Sequence, residues 1–328
     1  MSVCVGAVKI NGGELWSIIM NQLNLSNVQN YSQQQEAVFT TLRLPRVLLG
    51  VLVGGTLAIA GATIQGLFRN PLAEPGLIGI SAGATLFAVI MIVLEARFFS
   101  FMTATFGYYA LSIAAFIGGA LATWIVYRLS MSRGKADITT LLLAGIAINA
   151  LAGSFTGLLT YAASDDQLRN ITFWSMGSLG SASWKTVGVV LPLMFLPLIA
   201  LPFFAKPLNA LALGEAQAGH MGVNIGLMKS MTIILATLGV GASVSVSGMI
   251  GFVGLVIPHI LRMAFSADNR LVLPGSALLG AIVLVLADLI SRIIVAPAEL
   301  PIGIITAILG CPVFIYIILV ERRKRRFV

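Results

Sequence analysis

The sequence predicts an all-α protein, a polytopic membrane bundle with nine crossings, and three observations carry that reading. First, 58% of the 328 residues are apolar and only 10% are charged, against roughly 45–50% and 25% in an average soluble domain. Second, a mean hydropathy of +0.98 leaves too little polar surface to coat a water-soluble core. Third, the apolar residues come in runs of about 20, the length that crosses roughly 30 Å of hydrocarbon.

Each run has its own boundaries. A polar segment, 1–46, opens the chain and is placed on the outer side of the membrane. The run 47–66 follows Arg46 and stops before Arg69; 77–95 follows the turn residues of NPLAEPG; 106–127 ends at Arg128. The run 139–163 begins after Asp137, 186–205 lies between Lys185 and Lys206, and 230–249 starts after Lys229. The next, 250–261, is short and contains Pro258, so it reads as a broken or tilted helix buried among others. The runs 273–291 and 302–320 complete the set, so that 47–321 forms one membrane domain and 322–328 a basic tail.

Charge sets the orientation. Arg322, Arg323, Lys324, Arg325 and Arg326 directly follow the last run, which places the C-terminus in the cytoplasm. Counting back, the inner segments also carry Arg69, Arg128, Arg133, Lys135, Lys206, Lys229, Arg262 and Arg270. The outer segments carry Lys9, Arg43, Arg46, Arg97, Arg169, Lys185 and Arg292.

Small residues supply the packing. Gly50 with Gly54, Gly61 with Ala58 and Ala62, Gly79 with Gly83, and Gly153 with Gly157 each put a small patch on one helical face, where backbones in lipid approach closely. The run Gly239, Gly241, Gly248, Gly251 and Gly254, interleaved with Ser243, Ser245 and Ser247, is looser and marks a flexible or broken helix.

Several functions are excluded. The one Gly-Lys pair, Gly134-Lys135, is followed by Ala136 and has no upstream glycine, so no phosphate loop is present and the chain does not bind ATP by itself. His220 and His259 have no Cys, Asp or Glu cluster beside them, and Cys4 and Cys311 form no spacing motif. No metal, cofactor or catalytic site is expected, and the net charge of +8 is explained by inner loops and tail rather than by nucleic acid.

Three polar features interrupt the apolar background. Arg43-Leu44-Pro45-Arg46 stands at the outer mouth of the first run, as an interfacial anchor or a contact surface. The inner loop 206–229 is the longest inner connection, and its stretch 210–218 has the composition of a short surface helix offered to a partner or lying at the interface. Asp288 and Arg292, at i,i+4 near the outer end of a run, are spaced to pair. An ion-coupled secondary transporter needs ionisable groups near the midplane; within the runs Asp288 is the candidate, and it lies close to an end.

Four long stretches decide among transport classes. LRLPRVLLGVLVGGTLAIAGATIQGLFRNPLAEPGLIGISAGA, ALALGEAQAGHMGVN, SGMIGFVGLVIPHILR and ADLISRIIVAPAELPIGIITAILGCPVFIYIIL are similar to the FecCD family of permeases, over about Leu42 to Leu319. These are the membrane subunits of type II ABC importers for cobalamin, ferric siderophores and haem. The resemblance implies a homodimer with its translocation path on the two-fold axis, two cytoplasmic ATPase subunits, a periplasmic binding protein, and a place in the bacterial inner membrane. It implies that Leu213, Gly214, Glu215, Ala216 and Gly222 contact the ATPase, and that Arg43, Arg46 and Arg292 dock the binding protein. The family usually has ten spans, and this chain begins in the outer segment that follows the first, so the first helix is missing by comparison, and either a start further upstream or a nine-span variant is expected. The segment ITFWSMGSLGSASW resembles the haem and siderophore branches, which makes haem the expected cargo, with ferric siderophore or cobalamin as the alternatives, and Phe173, Trp174 and Met176 the candidate lining of the path.

Overall fold

The computed structural model describes residues 10–22, 25, 30–132, 135–295 and 298–325. Cys4, Lys9, Arg133 and Arg326 lie outside the described residues.

A short amphipathic helix, α1 (Gly12–Gln22), buries Ile18 against Phe39 and exposes Trp16. Ser32 then starts the central helix with a capping box: its hydroxyl accepts from the Gln35 amide and the Gln35 side chain accepts from the Ser32 amide. The resulting helix, α2 (Gln33–Phe68), is unbroken over 36 residues. The boundary expected at 46/47 therefore falls inside a helix, because residues 33–46 are polar enough to read as a loop yet carry a cap and no helix breaker before Pro45. Proline offers no N–H and its ring crowds the carbonyl four residues back, and the chain meets this with a π-helical stretch at Val38–Arg43.

Around α2 stand α3 (Ile80–Leu94), α4 (Ser100–Phe106), α5 (Ala110–Leu129), α6 (Ile138–Tyr161), α7 (Asp165–Met176) and α8 (Trp184–Ala212). They are followed by α9 (Glu215–His220), α10 (Ile225–Ser247), α11 (Val253–Ala264), α12 (Asn269–Ile293) and α13 (Ile302–Arg325). A two-residue hairpin, β1 (Met131–Ser132) and β2 (Lys135–Ala136), joins α5 to α6. Among the described residues six helices are long and apolar enough to cross a membrane, and Ile80–Leu94, Val253–Ala264 and Ile302–Ile317 are shorter apolar helices. Together they match the apolar runs read from the sequence, including the break between α10 and the half-length α11, where Gly248 and Phe252 take positive φ. The fold is the all-α membrane bundle expected.

Helix contacts follow the small residues. α2 packs most extensively on α12, where a Cβ on Gly54 would overlap the Gly280 carbonyl. A Cβ on Gly61 would overlap the Gly254 carbonyl oxygen of α11. That carbonyl stands four residues before Pro258, which has no amide to offer it, so the close approach of Gly61 covers a group the helix itself leaves unbonded. Gly153 and Gly157 differ from expectation: among the described residues no atom lies within 4 Å of a Cβ at either. They sit on the exposed side of α6, of which only 17% is buried, so they pack against none of the described residues of the protomer.

The expected inner loop 206–229 is largely helical. Its first part continues α8, through a 3₁₀ turn at Leu201–Phe204, as far as Ala212; α9 follows, and Lys229 belongs to the second turn of α10.

Candidate functional site

Polar contacts gather at the two opposite ends of the bundle. At one end, Arg46 of α2 donates Nε to Asp288 Oδ1 of α12 at 2.9 Å and both Nη atoms to Glu299, at 2.8 and 2.9 Å. Arg292 Nε stands 3.1 Å from Asp288 Oδ2. Asp288 is 2% exposed and lies between two guanidinium groups, so its burial is offset by charge on both sides. Glu299, in the connection from α12 to α13, is 44% exposed, and its Arg46 hydrogen bond holds its carboxyl below the usual range.

The Asp288–Arg292 pair is as the spacing predicted, but Arg46 and Glu299 join it from elsewhere in the chain. The expected rim of three presented arginines is not present within one protomer. Arg43 is 5% exposed at the end of the π-helical stretch, while Arg46 and Arg292 are matched by two carboxylates. The π turn also frees the Thr40 carbonyl, which accepts from the Trp184 indole at 2.8 Å and ties α8 to α2.

Beside this network, three chain segments meet through their backbones. Ser178 N donates to Ser247 O at 2.7 Å and Ile302 N to Gly177 O at 3.0 Å, joining the end of α7, the α10–α11 break and the start of α13. Gly248 takes φ 66° there, and a Cβ on it would overlap the Trp174 carbonyl. A cavity of about 540 Å³ opens next to the junction, with Glu95, Tyr109, Asn170, Phe173, Trp174 and Ser247 among its walls. Of the candidate path residues, Phe173 and Trp174 line it, Phe173 with the Arg169 guanidinium 5.8 Å from its ring centre. Met176 is instead placed by its carbonyl, against Gly303 of α13.

At the opposite end, α9 projects with Leu213, Ala216 and Gly222 exposed around it, and Gly214 supplies φ 120° at its start. Glu215 does not point freely outward. Its Oε1 accepts from Lys229 Nζ at 2.7 Å, and the same ammonium donates to the Ala136 carbonyl at 2.9 Å. Lys229, counted from the sequence among the charges of the inner loop, is 2% exposed. A second set of bonds fixes the end of α8: Asn209 Oδ1 accepts from the Asn269 side chain at 2.8 Å, and Asn269 Oδ1 accepts from Arg262 at 3.2 Å. Arg262 also donates to Gln65 of α2. Neither Lys229 nor the Asn209 set could be found from spacing, since every partner lies outside a helical turn.

These two polar ends joined by an apolar bundle can be set beside known proteins. A model of the FecCD transport family matches residues 1–320. The chain belongs to the FecCD transport family. It is 47% identical over 288 residues to the hemin transport system permease protein HmuU of Yersinia pestis, covering 88% of this chain and 85% of that protein. It is 40% identical over 292 residues to the vitamin B12 import system permease protein BtuC of Salmonella typhi, covering 89% of this chain and 86% of that one. A solved metal-chelate type ABC transporter in an inward-facing conformation superposes with a TM-score of 0.79 at 29% identity, over 94% of this chain and 97% of that one. This FecCD protein is thus a multi-pass membrane permease of the ABC importer kind, a transport subunit.

Proposed function

We propose that this FecCD permease carries haem from the periplasm to the cytoplasm across a bacterial inner membrane. The single observation that carries the cargo assignment is the cavity at the Arg46 end, walled by Phe173 and Trp174 and about 540 Å³ in volume, which suits a flat, largely apolar ligand. The 47% identity to a hemin permease, against 40% to a vitamin B12 permease, favours the same choice. Cobalamin and ferric siderophores are the alternatives.

In this reading the Arg46 end faces the periplasmic binding protein and the α9 end faces the cytoplasm. Two ATPase subunits bind α9 and its flanks, with Leu213 and Ala216 as apolar and small contacts and Gly214 and Gly222 allowing the sharp turns on either side. A second copy of the chain packs with the sparsely buried face of α6 toward the shared axis. The binding protein docks where Arg46 and Arg292 stand, its acidic residues competing for guanidinium groups now held by Glu299 and Asp288. Arg43, being buried, positions the outer third of α2 rather than touching the partner directly.

The test is uptake by the permease reconstituted with its ATPase and binding protein, with haemin, a panel of ferric siderophores and cobalamin offered in turn. Haemin uptake that depends on ATP and exceeds the others is expected. Preference for cobalamin or a siderophore overturns the cargo, and uptake without ATP overturns the class.

A further inference from the structure

Lys229 occupies a position that the transport reading leaves unused. It stands in the second turn of α10, is 2% exposed, and spends its ammonium on two elements remote in sequence from each other. One is Glu215, the first residue of α9, at 2.7 Å; the other is the Ala136 carbonyl of β2, at 2.9 Å. Asp137, the very next residue, caps α6 by accepting from the Thr140 amide at 2.7 Å. Those Thr140 bonds hold its carboxyl below the usual range, and the Lys229 charge adds to the effect. The ammonium therefore faces Glu215, Asp137 and the Ala136 carbonyl, and no second cationic side chain is among the groups these contacts bring to it.

A buried ammonium is tolerated only where hydrogen bonds and opposite charge replace its lost water. Here both replacements come from moving parts of the proposed machine. Glu215 anchors the helix that would receive the push of the ATPase. Ala136 ends the hairpin that leads directly into α6, the long apolar helix least held by its neighbours, with only 17% buried. The nearby Asn209 and Arg262 bonds lead elsewhere, into α2, α11 and α12 at the well-packed centre.

We propose that Lys229 is a positioning residue that fastens α9 to the start of α6, so that displacement of α9 is delivered to α6 rather than absorbed in the connections. The role rests on the importer reading above, but the fastening itself can be measured without transport. The Glu215 bond grips the receiving helix, and the Ala136 bond grips the delivered one. Lys229→Met cuts both, Lys229→Arg keeps a cation that can donate to both, and Glu215→Gln weakens only the first.

The experiment places spin labels at Gln217→Cys and Thr139→Cys, both exposed positions, in the full-length permease with its native cysteines replaced by serine. With Lys229 present a narrow distance distribution between α9 and α6 is expected; with Lys229→Met it should broaden at least twofold, and Lys229→Arg should restore it. In the reconstituted complex, haemin moved per ATP hydrolysed should fall at least tenfold for Lys229→Met and recover for Lys229→Arg. If Lys229→Met does not assemble, Lys229→Gln is measured in the same way. An unchanged distribution, or a loss of uptake that Lys229→Arg does not rescue, overturns the inference. If the unsubstituted complex takes up no haemin while the label distances behave as expected, the haem importer reading fails and the fastening stands.

Discussion

Arg46 holds Glu299 with both prongs of its guanidinium group, Nη1 to Oε1 at 2.8 Å and Nη2 to Oε2 at 2.9 Å, across 253 positions of chain. The same side chain reaches the buried Asp288 with Nε. One arginine thus closes the connection from α12 to α13 onto the central helix, and an incoming carboxylate at this end must compete with the more exposed of its two partners.

That competition makes the docking proposal measurable. Glu299→Gln removes a competitor, and an exposed pair is worth about 0.2–1 kcal/mol, so binding-protein affinity should rise by no more than about fivefold, with a steeper loss on adding salt. Arg46→Glu should abolish salt-sensitive association. If both variants bind as the native permease does at low and high salt, the binding protein docks elsewhere.

Asp288 lies on the costly side of the same network. With 2% exposure and an arginine on either side, its removal leaves two partly buried cations facing each other. Asp288→Ala should destabilise by about 3–5 kcal/mol, read as a lowered midpoint of thermal unfolding in detergent. A midpoint within a degree of the native protein would mean that solvent already screens the pair.

Glu299 gives the network a pH limit. Its folded-state pKa lies below the ordinary glutamate value of 4.5 because Arg46 donates to its charged form. Its contribution is therefore complete above pH 4.5 and is lost as the pH falls through the depressed folded value. Amide exchange at Leu300, whose N–H bonds to Ser291 O at 3.1 Å, should accelerate below that point relative to Glu299→Gln at the same pH. Parallel behaviour of the two proteins across the range would show that the carboxylate does not close this connection.

The glycines divide by what surrounds them. Gly61→Ala drives a methyl into the Gly254 carbonyl and should cost at least about 1–3 kcal/mol. Gly188→Ala meets no described atom within 4 Å, and in the interior of α8 the exchange should gain up to about 1 kcal/mol. Unfolding of the two purified variants side by side tests this, and equal stabilities would contradict the central packing of α2 on α11.

Much of the architecture was legible because it is local. Apolar length marks each crossing, Pro258 and the glycines around it mark the short α11, and the i,i+4 spacing of Asp288 and Arg292 marks an ion pair. The ends were harder. The polar residues 33–46 read as a loop by composition, yet Ser32 and Gln35 carry a capping box that marks a helix start in the sequence itself. The composition of 210–218 indicates a short helix in the inner connection 206–229, but Lys206 and Lys229 read as charged limits of a loop, although each belongs to a helix.

What the sequence by itself determined is the membrane class, the succession of helices and the family, since hydrophobic length, breakers and long matching stretches need no knowledge of what packs on what. Only the tertiary structure decided which charges are spent inside the protein. Whether Arg43 is buried, whether Arg46 meets Glu299, and whether Lys229 meets Glu215 and Ala136 depend on how helices are rotated about their axes and where their ends converge. A rotation of half a turn leaves composition, run length and charge count unchanged, yet it exchanges a buried ion pair for a free surface charge.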